Sequence, residues 1–358
     1  MTGTLVPPGL IVYRTTGGVD AIDEYSARLT RALDEAGIAA RYVSTGLRAA
    51  RRLEGRPAWI LLQYNPFSYG RWGVAPGLIR DAISMRRRTG ALLAISIHEP
   101  WGDVRDWRSA LMSAYQRAQL RSLMRVADRI IVATEAYGRA IGHRAIHVPV
   151  GSNITPLGLP GVQARERLGL GEQLVVTLFG TGHPSRALGH AEAAIAALRA
   201  QRGAGEMTVL NLGLGSPQVR LPQDVEVVTP GRLAPEEISL RLHASDLLLL
   251  PFTDGVSSRR TTLMAGLAHG VPVVGLSGPS TDRIFVQRGD ALRLTPFGDP
   301  SQFARAVVDL GADEDARRAL GAGGRGLYRA EFDWPIIARR VGAAVADQDG
   351  GRRSTTQA

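Results

Sequence analysis

The stretch 246–278, DLLLLPFTDGVSSRRTTLMAGLAHGVPVVGLSG, contains one complete strand–helix–strand unit. Residues 247–252 form a continuous apolar run, which is typical of a parallel strand that is buried on both faces. Thr261–His269 has helical spacing and stops before Gly270, a residue type that often caps helices. A second apolar run, 273–276, follows. The unit therefore predicts part of an open α/β sheet with parallel strands.

The polar loop 253–260 lies between this strand and this helix. In an open α/β sheet, ligands bind beyond the carboxyl ends of the strands, and the free N–H groups of a helix N-terminus favour phosphate. The loop and the first helical turn supply a carboxylate, hydroxyls and arginines, namely Asp254, Ser257, Ser258, Arg259, Arg260, Thr261 and Thr262. We interpret the loop as a site for a phosphorylated ligand. An ordinary crossover with a capped helix is the alternative reading.

Length and composition exclude several classes of protein. The 358 residues are enough for two cores, and the absence of cysteine excludes disulfides and thiolate metal sites. No apolar run reaches the length of a membrane-spanning helix and no secretory leader is recognisable, so a cytoplasmic protein is expected. The histidines and carboxylates show no metal-ligand spacing, so no metal site is predicted.

The net charge of +10 comes from arginine alone, because the sequence has no lysine. The arginines are scattered, with one run at 86–88, and no nucleic-acid-binding motif is present. This pattern favours a solvated surface that tolerates anionic ligands, and peripheral contact with anionic lipid stays open. Oligomeric state is not indicated.

Strand-like and helix-like segments alternate along the whole chain, as in doubly wound parallel sheets. Twelve strands are predicted, at 9–13, 41–44, 59–63, 91–97, 129–134, 145–148, 174–179, 207–212, 225–228, 247–252, 273–276 and 291–294. The stretch 151–161 is rich in Gly and Pro and reads as a linker. We therefore predict a first Rossmann-like domain at 1–155, a second at 161–330, and a disordered tail at 350–358.

Further candidate residues follow the predicted strands. Gly17 and Gly18 follow the first strand, where glycines would let a ligand approach the backbone. Gly180, Thr181 and Arg186 follow the strand at 174–179. His98, Glu99, Pro100 and Trp101 follow the strand at 91–97. Two domains of this kind would place strand ends on both sides of one cleft.

The order of these motifs resembles the retaining nucleotide-sugar glycosyltransferases of family four, which have the GT-B fold. The resemblance is carried by Gly17-Gly18, by the stretch HEPW at 98–101, by HVPVG at 147–151, by Phe179-Gly180 with Arg186, and by AGLAHGVPVV at 265–274. Residues 328–344, with Trp334, look like the family's closing helix. The resemblance implies two domains facing a cleft, with 331–349 crossing back onto the first.

The resemblance also implies an activity and roles for residues. It implies a metal-independent hexosyltransferase that uses a nucleoside diphosphate sugar, of UDP or GDP type, as co-substrate and needs no cofactor. Front-face displacement would move the hexose to a small-molecule, glycan, natural-product or lipid acceptor. Gly17, Gly18, Gly180, Thr181, Arg186 and the loop 254–262 would bind the donor. His98 would face the donor sugar, and Glu99 would orient the acceptor hydroxyl.

Aromatic residues suit the acceptor side of such a site, because they can stack on an acceptor ring. The candidates are Tyr64, Tyr69, Trp72 and Trp101, with Phe67 beside them. Packing among themselves is the plainer alternative.

One departure from the family pattern matters. The family carries two glutamates eight positions apart, and the matching positions here are Ser257 and Ala265. Asp254 is close enough in sequence to replace one carboxylate, and Arg259 or Arg260 could replace the family's phosphate-binding lysine. Two alternatives therefore remain open: a pseudo-glycosyltransferase that couples a nucleotide-activated cyclitol, and a non-catalytic nucleotide-sugar-binding protein.

Overall fold

The structure is a computed structural model that describes residues 9–346 except 16–19, 51, 53–54, 143, 183–184, 204, 214 and 216–217. The chain forms two compact units. The first runs up to Pro149 and takes in the chain again from Trp334, and the second is Val150–Asp333. The division falls just before the Gly- and Pro-rich stretch that the sequence marks as a linker.

The first unit contains a six-stranded parallel sheet in the order β2-β1-β3-β4-β5-β6. Its strands are β1 (Gly9–Val12), β2 (Ala40–Val43), β3 (Trp59–Tyr64), β4 (Leu92–Ile97), β5 (Arg129–Val132) and β6 (Ala145–His147). Every residue of β3 is buried, because helices cover both faces of a parallel sheet.

The helices of the first unit follow its strands. They are α1 (Ala21–Glu35), α2 (Leu47–Ala50), α3 (Pro66–Tyr69), α4 (Pro76–Thr89), α5 (Trp107–Val126) and α6 (Glu135–Ile141), with a 3₁₀ turn at Arg71–Gly73. Asp20 caps α1 by accepting from the Ile22 amide at 3.0 Å. Gly90 ends α4 in the left-handed conformation, with φ of 70°.

The second unit repeats the plan with a six-stranded sheet in the order β12-β11-β10-β7-β8-β9. Its strands are β7 (Leu174–Phe179), β8 (Met207–Leu212), β9 (Glu226–Val228), β10 (Leu247–Leu250), β11 (Val273–Ser277) and β12 (Arg293–Pro296). All pairings are parallel, with Leu248 of β10 opposite Thr177 of β7. The last strand lies two residues later than predicted. Both sheets confirm the predicted α/β class.

The helices of the second unit are α7 (Gly161–Leu168), α8 (Leu188–Arg202), α9 (Pro235–His243), α10 (Thr261–His269), α11 (Arg283–Gln287), α12 (Pro300–Ala312) and α13 (Glu314–Glu331). Helix α10 has the bounds predicted from the sequence, and Gly270 caps it with φ of 70°. Helix α7 was not predicted from the sequence.

The C-terminal part of the chain holds two helices where the sequence suggested one closing helix at 328–344. Tyr328 belongs to α13, and a separate helix, α14 (Trp334–Ala346), begins after Asp333. Helix α14 packs against α1 in the first unit. The Trp334 ring lies 5.5 Å from the Tyr25 ring of α1.

Strand order fixes where each unit can hold a ligand. In the second unit, the chain passes from β7 outward to β8 and β9, and then returns to place β10 on the other side of β7. Crevices form at such a reversal, beyond the carboxyl ends of the two strands. The segments after β7 and β10 are those that carry Gly180, Arg186 and the loop 253–260.

Candidate functional site

Backbone contacts join the segments that follow β7 and β10. Arg186 and Phe252 form an isolated antiparallel bridge. The Thr253 amide donates to the Ser185 carbonyl at 2.7 Å, and the Ala187 amide donates to the Pro251 carbonyl at 2.7 Å. The two segments therefore form one small platform at the reversal point of the sheet.

Arg186 is buried in this platform, with 8 % of its surface exposed. Its Nη1 donates to the Gly180 carbonyl at 3.3 Å, while its Nη2 is buried and has no hydrogen-bond partner. No carboxylate of the described residues pairs with it. Burial lowers the pKa of Arg186, but arginine stays protonated in proteins. The side chain is thus an uncompensated buried cation, and not a solvated charge beside a helix.

The N-terminus of α10 lies beside Arg186. Helix α10 starts at Thr261, and no side chain caps its first turn. A Cβ placed on Gly180 would lie 3.7 Å from Thr262 Cγ2, so the Gly180 backbone adjoins this turn. Thr261 and Thr262 are partly exposed. Helix amide groups and a guanidinium therefore converge near Gly180, an arrangement suited to an anion.

The other two arginines of the loop are already paired. Asp254 accepts from Arg259 at 3.1 Å and from Arg260 at 2.5 Å. The Arg260 guanidinium also lies 4.1 Å from the centroid of the Phe252 ring. Asp254 is therefore engaged with two cations and does not present a carboxylate in place of a family glutamate. Because Arg259 and Arg260 share this carboxylate, together they present less positive charge to a phosphate than the sequence suggested.

The two serines of the loop point inward. Ser257 and Ser258 have no exposed surface. The Ser258 amide and hydroxyl both donate to Asp282 Oδ2, at 2.6 and 2.7 Å. Both side chains are enclosed by the loop, and the Ser257 hydroxyl has no hydrogen-bond partner among the described residues. In this conformation Ser258 ties the loop to Asp282. That these hydroxyls bind a donor stays a prediction.

Asp282 lies outside this loop in the sequence but contacts it in the fold, and sequence reasoning missed it. It is fully buried and directly precedes α11, yet its side chain does not cap that helix, because the carboxylate accepts from Ser258. An aspartate directly before a helical segment was the available signal, and it reads as an ordinary cap. Only the fold brings it to a loop 24 residues earlier.

Two other donor-side predictions have different outcomes. Gly17 and Gly18 lie outside the described residues. Gly180 follows β7 with φ of 138°, a conformation that side chains rarely adopt. Thr181 is exposed next to it, so both remain candidates for backbone contact with a ligand.

His98 lies at the end of β4 in the first unit. Its Nε2 donates to Gln63 Oε1 at 2.7 Å, and its ring meets the edge of Tyr25 at 5.1 Å. Burial lowers the pKa of His98 to about 4, so the ring is neutral at pH 7. The bond to Gln63 puts the proton on Nε2 and leaves Nδ1 as an acceptor. Gln63, which was not predicted as a site residue, therefore sets the tautomer.

Glu99 and Trp101 follow His98 at the same edge of the sheet. Glu99 accepts from Asn65 Nδ2 at 3.3 Å. Trp101 is partly exposed, and the Arg117 guanidinium lies 4.3 Å from its ring centroid. Trp72 is 66 % exposed and has φ of 58°, an unusual value for a bulky residue. Trp72 and Trp101 remain candidates for stacking on an acceptor.

Tyr64 and Tyr69 are core residues, so the prediction that they bind an acceptor is wrong for this conformation. Tyr64 ends β3, is fully buried and accepts from Gln119 at 3.2 Å. Tyr69 is buried and donates its hydroxyl to the Gln63 carbonyl at 2.6 Å. Their rings stack on each other at 6.4 Å. Burial raises the pKa of Tyr64 to about 12.

The described residues hold neither a cluster of metal ligands nor a membrane-spanning helix. No group of three or more His, Asp or Glu side chains among them is placed to hold a metal ion. No helix among them is long and apolar enough to cross a membrane.

Comparison with solved structures identifies the fold. Sucrose-phosphate synthase from Thermosynechococcus elongatus has a TM-score of 0.67 and 18% identity, covering 94% of this chain and 97% of that one. HepE from Anabaena, in complex with UDP and glucose, has a TM-score of 0.67 and 13% identity, covering 95% and 99%. The chain has the GT-B glycosyltransferase fold. The GT-B fold that the sequence resemblance implies is confirmed.

Sequence comparison agrees with this GT-B assignment. No family model matches the chain. A curated mannosyltransferase from Mycolicibacterium hassiacum, named MMP alpha-(1->4)-mannosyltransferase, is 22% identical over 311 residues, which is 82% of this chain and 72% of that protein. The GT-B chain is thus similar in sequence and in fold to enzymes of the glycosyltransferase class.

Proposed function

We propose that this GT-B protein transfers a hexose from a nucleoside diphosphate sugar, and that the second unit binds the donor. The observation that carries the proposal is Arg186, a buried guanidinium with an unpartnered Nη2 and no carboxylate partner among the described residues. Leaving a buried charge without a counter-charge costs several kcal/mol, on the order of the desolvation penalty for one ion. A bound diphosphate would supply that counter-charge.

Three groups would hold the diphosphate. Arg186 would donate to its oxygens, the amides of Thr261 and Thr262 would point at them from the start of α10, and the Gly180 backbone would allow close approach. Charge-assisted bonds to phosphate are about twice as strong as neutral ones. The same groups stabilise the negative charge that develops on a departing diphosphate, which is where electrostatic catalysis acts. We therefore propose that these groups act in place of a metal ion.

UDP is the nucleotide proposed first. HepE was solved with UDP, and another structural neighbour, from Burkholderia vietnamiensis, is a UDP-forming alpha,alpha-trehalose-phosphate synthase with a TM-score of 0.60 and 12% identity. GDP is the second choice. The curated relative is a mannosyltransferase, which supports a hexose as the transferred group.

The first unit would supply the acceptor side. His98 is neutral and keeps Nδ1 as an acceptor, so it suits a hydrogen bond from a sugar hydroxyl better than a charge contact. Glu99 would orient the acceptor hydroxyl, and Trp72 and Trp101 would stack on the acceptor. We propose front-face displacement with retention, in which the departing phosphate oxygen takes the acceptor proton.

The missing family carboxylates support a second candidate function. Ala265 is fully buried inside α10 and Ser257 is fully buried in the loop, so neither position offers a carboxylate to ribose or sugar. Asp254 is held by Arg259 and Arg260. The loss of these carboxylates from the family pattern keeps a nucleotide-activated cyclitol as a second candidate donor.

A donor panel tests both candidates. The full-length protein is incubated with UDP-, GDP- and ADP-sugars and with a nucleotide-activated cyclitol, with and without EDTA, and released nucleoside diphosphate is measured. We expect release from one hexose donor that EDTA does not reduce. Release from the cyclitol donor alone supports the second candidate. Saturable binding without release from any donor, across a broad acceptor set, contradicts transferase activity. Loss of activity in EDTA that Mg²⁺ restores contradicts the metal-independent mechanism.

A further inference from the structure

Helix α5 exposes an apolar stripe to solvent. Trp107, Leu111 and Tyr115 are four residues apart and so lie on one side of the helix. Their exposed fractions are 72 %, 68 % and 38 %. The opposite side of the same helix is buried and includes Gln116, Leu120 and Leu123. Large aromatic and aliphatic side chains that line up outside the core mark an interaction surface.

The charge of α5 has one sign. Its 20 residues include Arg108, Arg117, Arg121 and Arg125 and contain no carboxylate. None of these arginines forms an ion pair within the part of the chain that the structure describes. The Arg108 guanidinium lies 5.2 Å from the centroid of the Trp107 ring. The α5 surface therefore combines apolar side chains with arginines that form no ion pair among the described residues.

The neighbouring groups do not cancel this charge. Asp106, just before α5, caps it by accepting from the Ser109 amide at 2.8 Å and adds one negative charge against the four arginines of the helix. Helix α4 packs beside α5 and ends in three arginines at 86–88. Arg86 pairs with Asp128 at 2.5 Å, and Arg87 adds an exposed cation. Asp103 is the other exposed acid near the start of the helix.

We propose that α5 docks the protein onto an anionic lipid bilayer. A helix that carries Trp and Leu on one face and arginines around them is suited to lie in the plane of the membrane interface. Trp107 and Leu111 would enter the boundary between headgroups and acyl chains. Arg108, Arg121 and Arg125 would contact lipid phosphates. A second copy of the chain fits less well, because an α5-to-α5 contact would oppose two sets of uncompensated arginines.

Vesicle flotation of the full-length protein tests the proposal. We expect the protein to float with vesicles that contain phosphatidylglycerol and to remain unbound with pure phosphatidylcholine. Raising the salt concentration should weaken binding, because exposed charge pairs are screened.

Two double variants separate the apolar contribution to membrane binding from the electrostatic contribution. W107S/L111S should reduce partitioning by at least about tenfold, since two large side chains leave the apolar phase. R121Q/R125Q should reduce it by about fivefold per arginine on phosphatidylglycerol vesicles. The matched control is V162S/V286S, which changes two comparably exposed apolar residues of the second unit. The control should bind as the parent does, and all three should keep the melting temperature.

A positional readout adds a second check. Lipids with brominated acyl chains quench tryptophan that enters the membrane, so Trp107→Phe should keep binding but lose most of the quenching. Equal binding to both vesicle types, or equal loss in V162S/V286S, contradicts the proposal. A concentration-dependent dimer that W107S/L111S abolishes, without vesicle binding by the parent, would make α5 a protein interface instead.

Discussion

The contributions of Arg186 to ligand binding and to stability can be separated by experiment. Its side chain is buried beside Gly180, and its Nη2 lacks a partner. A group placed only for stability would have its donors satisfied, because unsatisfied buried donors cost about 1–3 kcal/mol each. Arg186 is therefore better explained as a ligand-binding residue than as a residue that stabilises the fold.

Opposite effects on binding and stability are expected when Arg186 is replaced. Arg186→Met should weaken UDP binding by about 1.5–3 kcal/mol, the usual value of a hydrogen bond to a charged group. The same change should keep or raise the melting temperature of the free protein, because it removes an uncompensated buried cation. Calorimetry and thermal melts measure the two quantities.

Arg305→Met is the control for this experiment. Arg305 is an exposed arginine of the same unit whose bonds stay within its own helix. The control should change neither UDP affinity nor melting temperature appreciably. Unchanged affinity in Arg186→Met, or a large loss of stability with unchanged affinity, would remove Arg186 from the proposed donor site.

At the scale of elements, glycines let α13 approach the C-terminus of α10. A Cβ on Gly321 of α13 would lie 2.2 Å from the Gly270 carbonyl oxygen, which belongs to the cap of α10. A Cβ on Gly324 would lie 3.1 Å from Leu267 Cδ2 of α10 and 2.9 Å from the Ala291 carbonyl oxygen. Backbone atoms cannot move aside as a flexible side chain can. The position of α10, and so of its N-terminus at Thr261, depends on this contact.

Alanine substitutions at two glycines of α13 should therefore change the stability of the protein in opposite directions. Gly321→Ala should destabilise the protein by about 1–3 kcal/mol, the range for overpacking a close contact. Gly326→Ala, in the same helix but exposed and facing open space, should stabilise it by about 0.5–1 kcal/mol, since alanine loses less backbone entropy than glycine. Chemical denaturation of both variants measures the difference. Equal effects would show that the α10–α13 contact does not limit packing.

At the scale of the whole molecule, each unit holds a histidine whose pKa is lowered to about 4 by burial. His98 in the first unit has its pKa lowered to about 4 by burial. Burial, followed by the nearby His243, lowers the pKa of His269 in the second unit to about 4, against the opposing effect of its bond to the Ala265 carbonyl. An exposed histidine in the unfolded chain titrates near pH 6.5, at about its reference value.

The stability of the molecule should consequently fall in mild acid. Between about pH 6.5 and pH 4 the unfolded chain binds more protons than the folded one, so stability is lost as pH falls through that window and is constant above it. By about pH 5 each histidine should cost roughly 2 kcal/mol. Melting temperature measured against pH tests this for the parent and for His269→Asn. The variant should have a lower melting temperature at pH 7 but a shallower slope, and parallel curves would contradict the assignment of His269.

The sequence alone determined the strands, several of the helices and the fold class, because periodicity, caps and apolar runs are local properties. Helix α10 was predicted with its observed bounds, since helical spacing and Gly270 define it without reference to the rest of the chain. The twelve predicted strands correspond to the two six-stranded sheets, with ends shifted by a few residues. The motif order was enough to predict the GT-B fold.

Tertiary structure alone decided which side chains the site can use. Strand order brings β10 beside β7 and so brings Arg186 to the loop after β10. Contacts within the loop then bind Asp254 to two arginines, and a contact between segments 24 residues apart buries Ser258 on Asp282. Tyr64 looks like a loop aromatic in the sequence, yet it lies in the core. The direction of a side chain at a strand end is set by what packs over it, and that neighbour comes from a distant part of the chain.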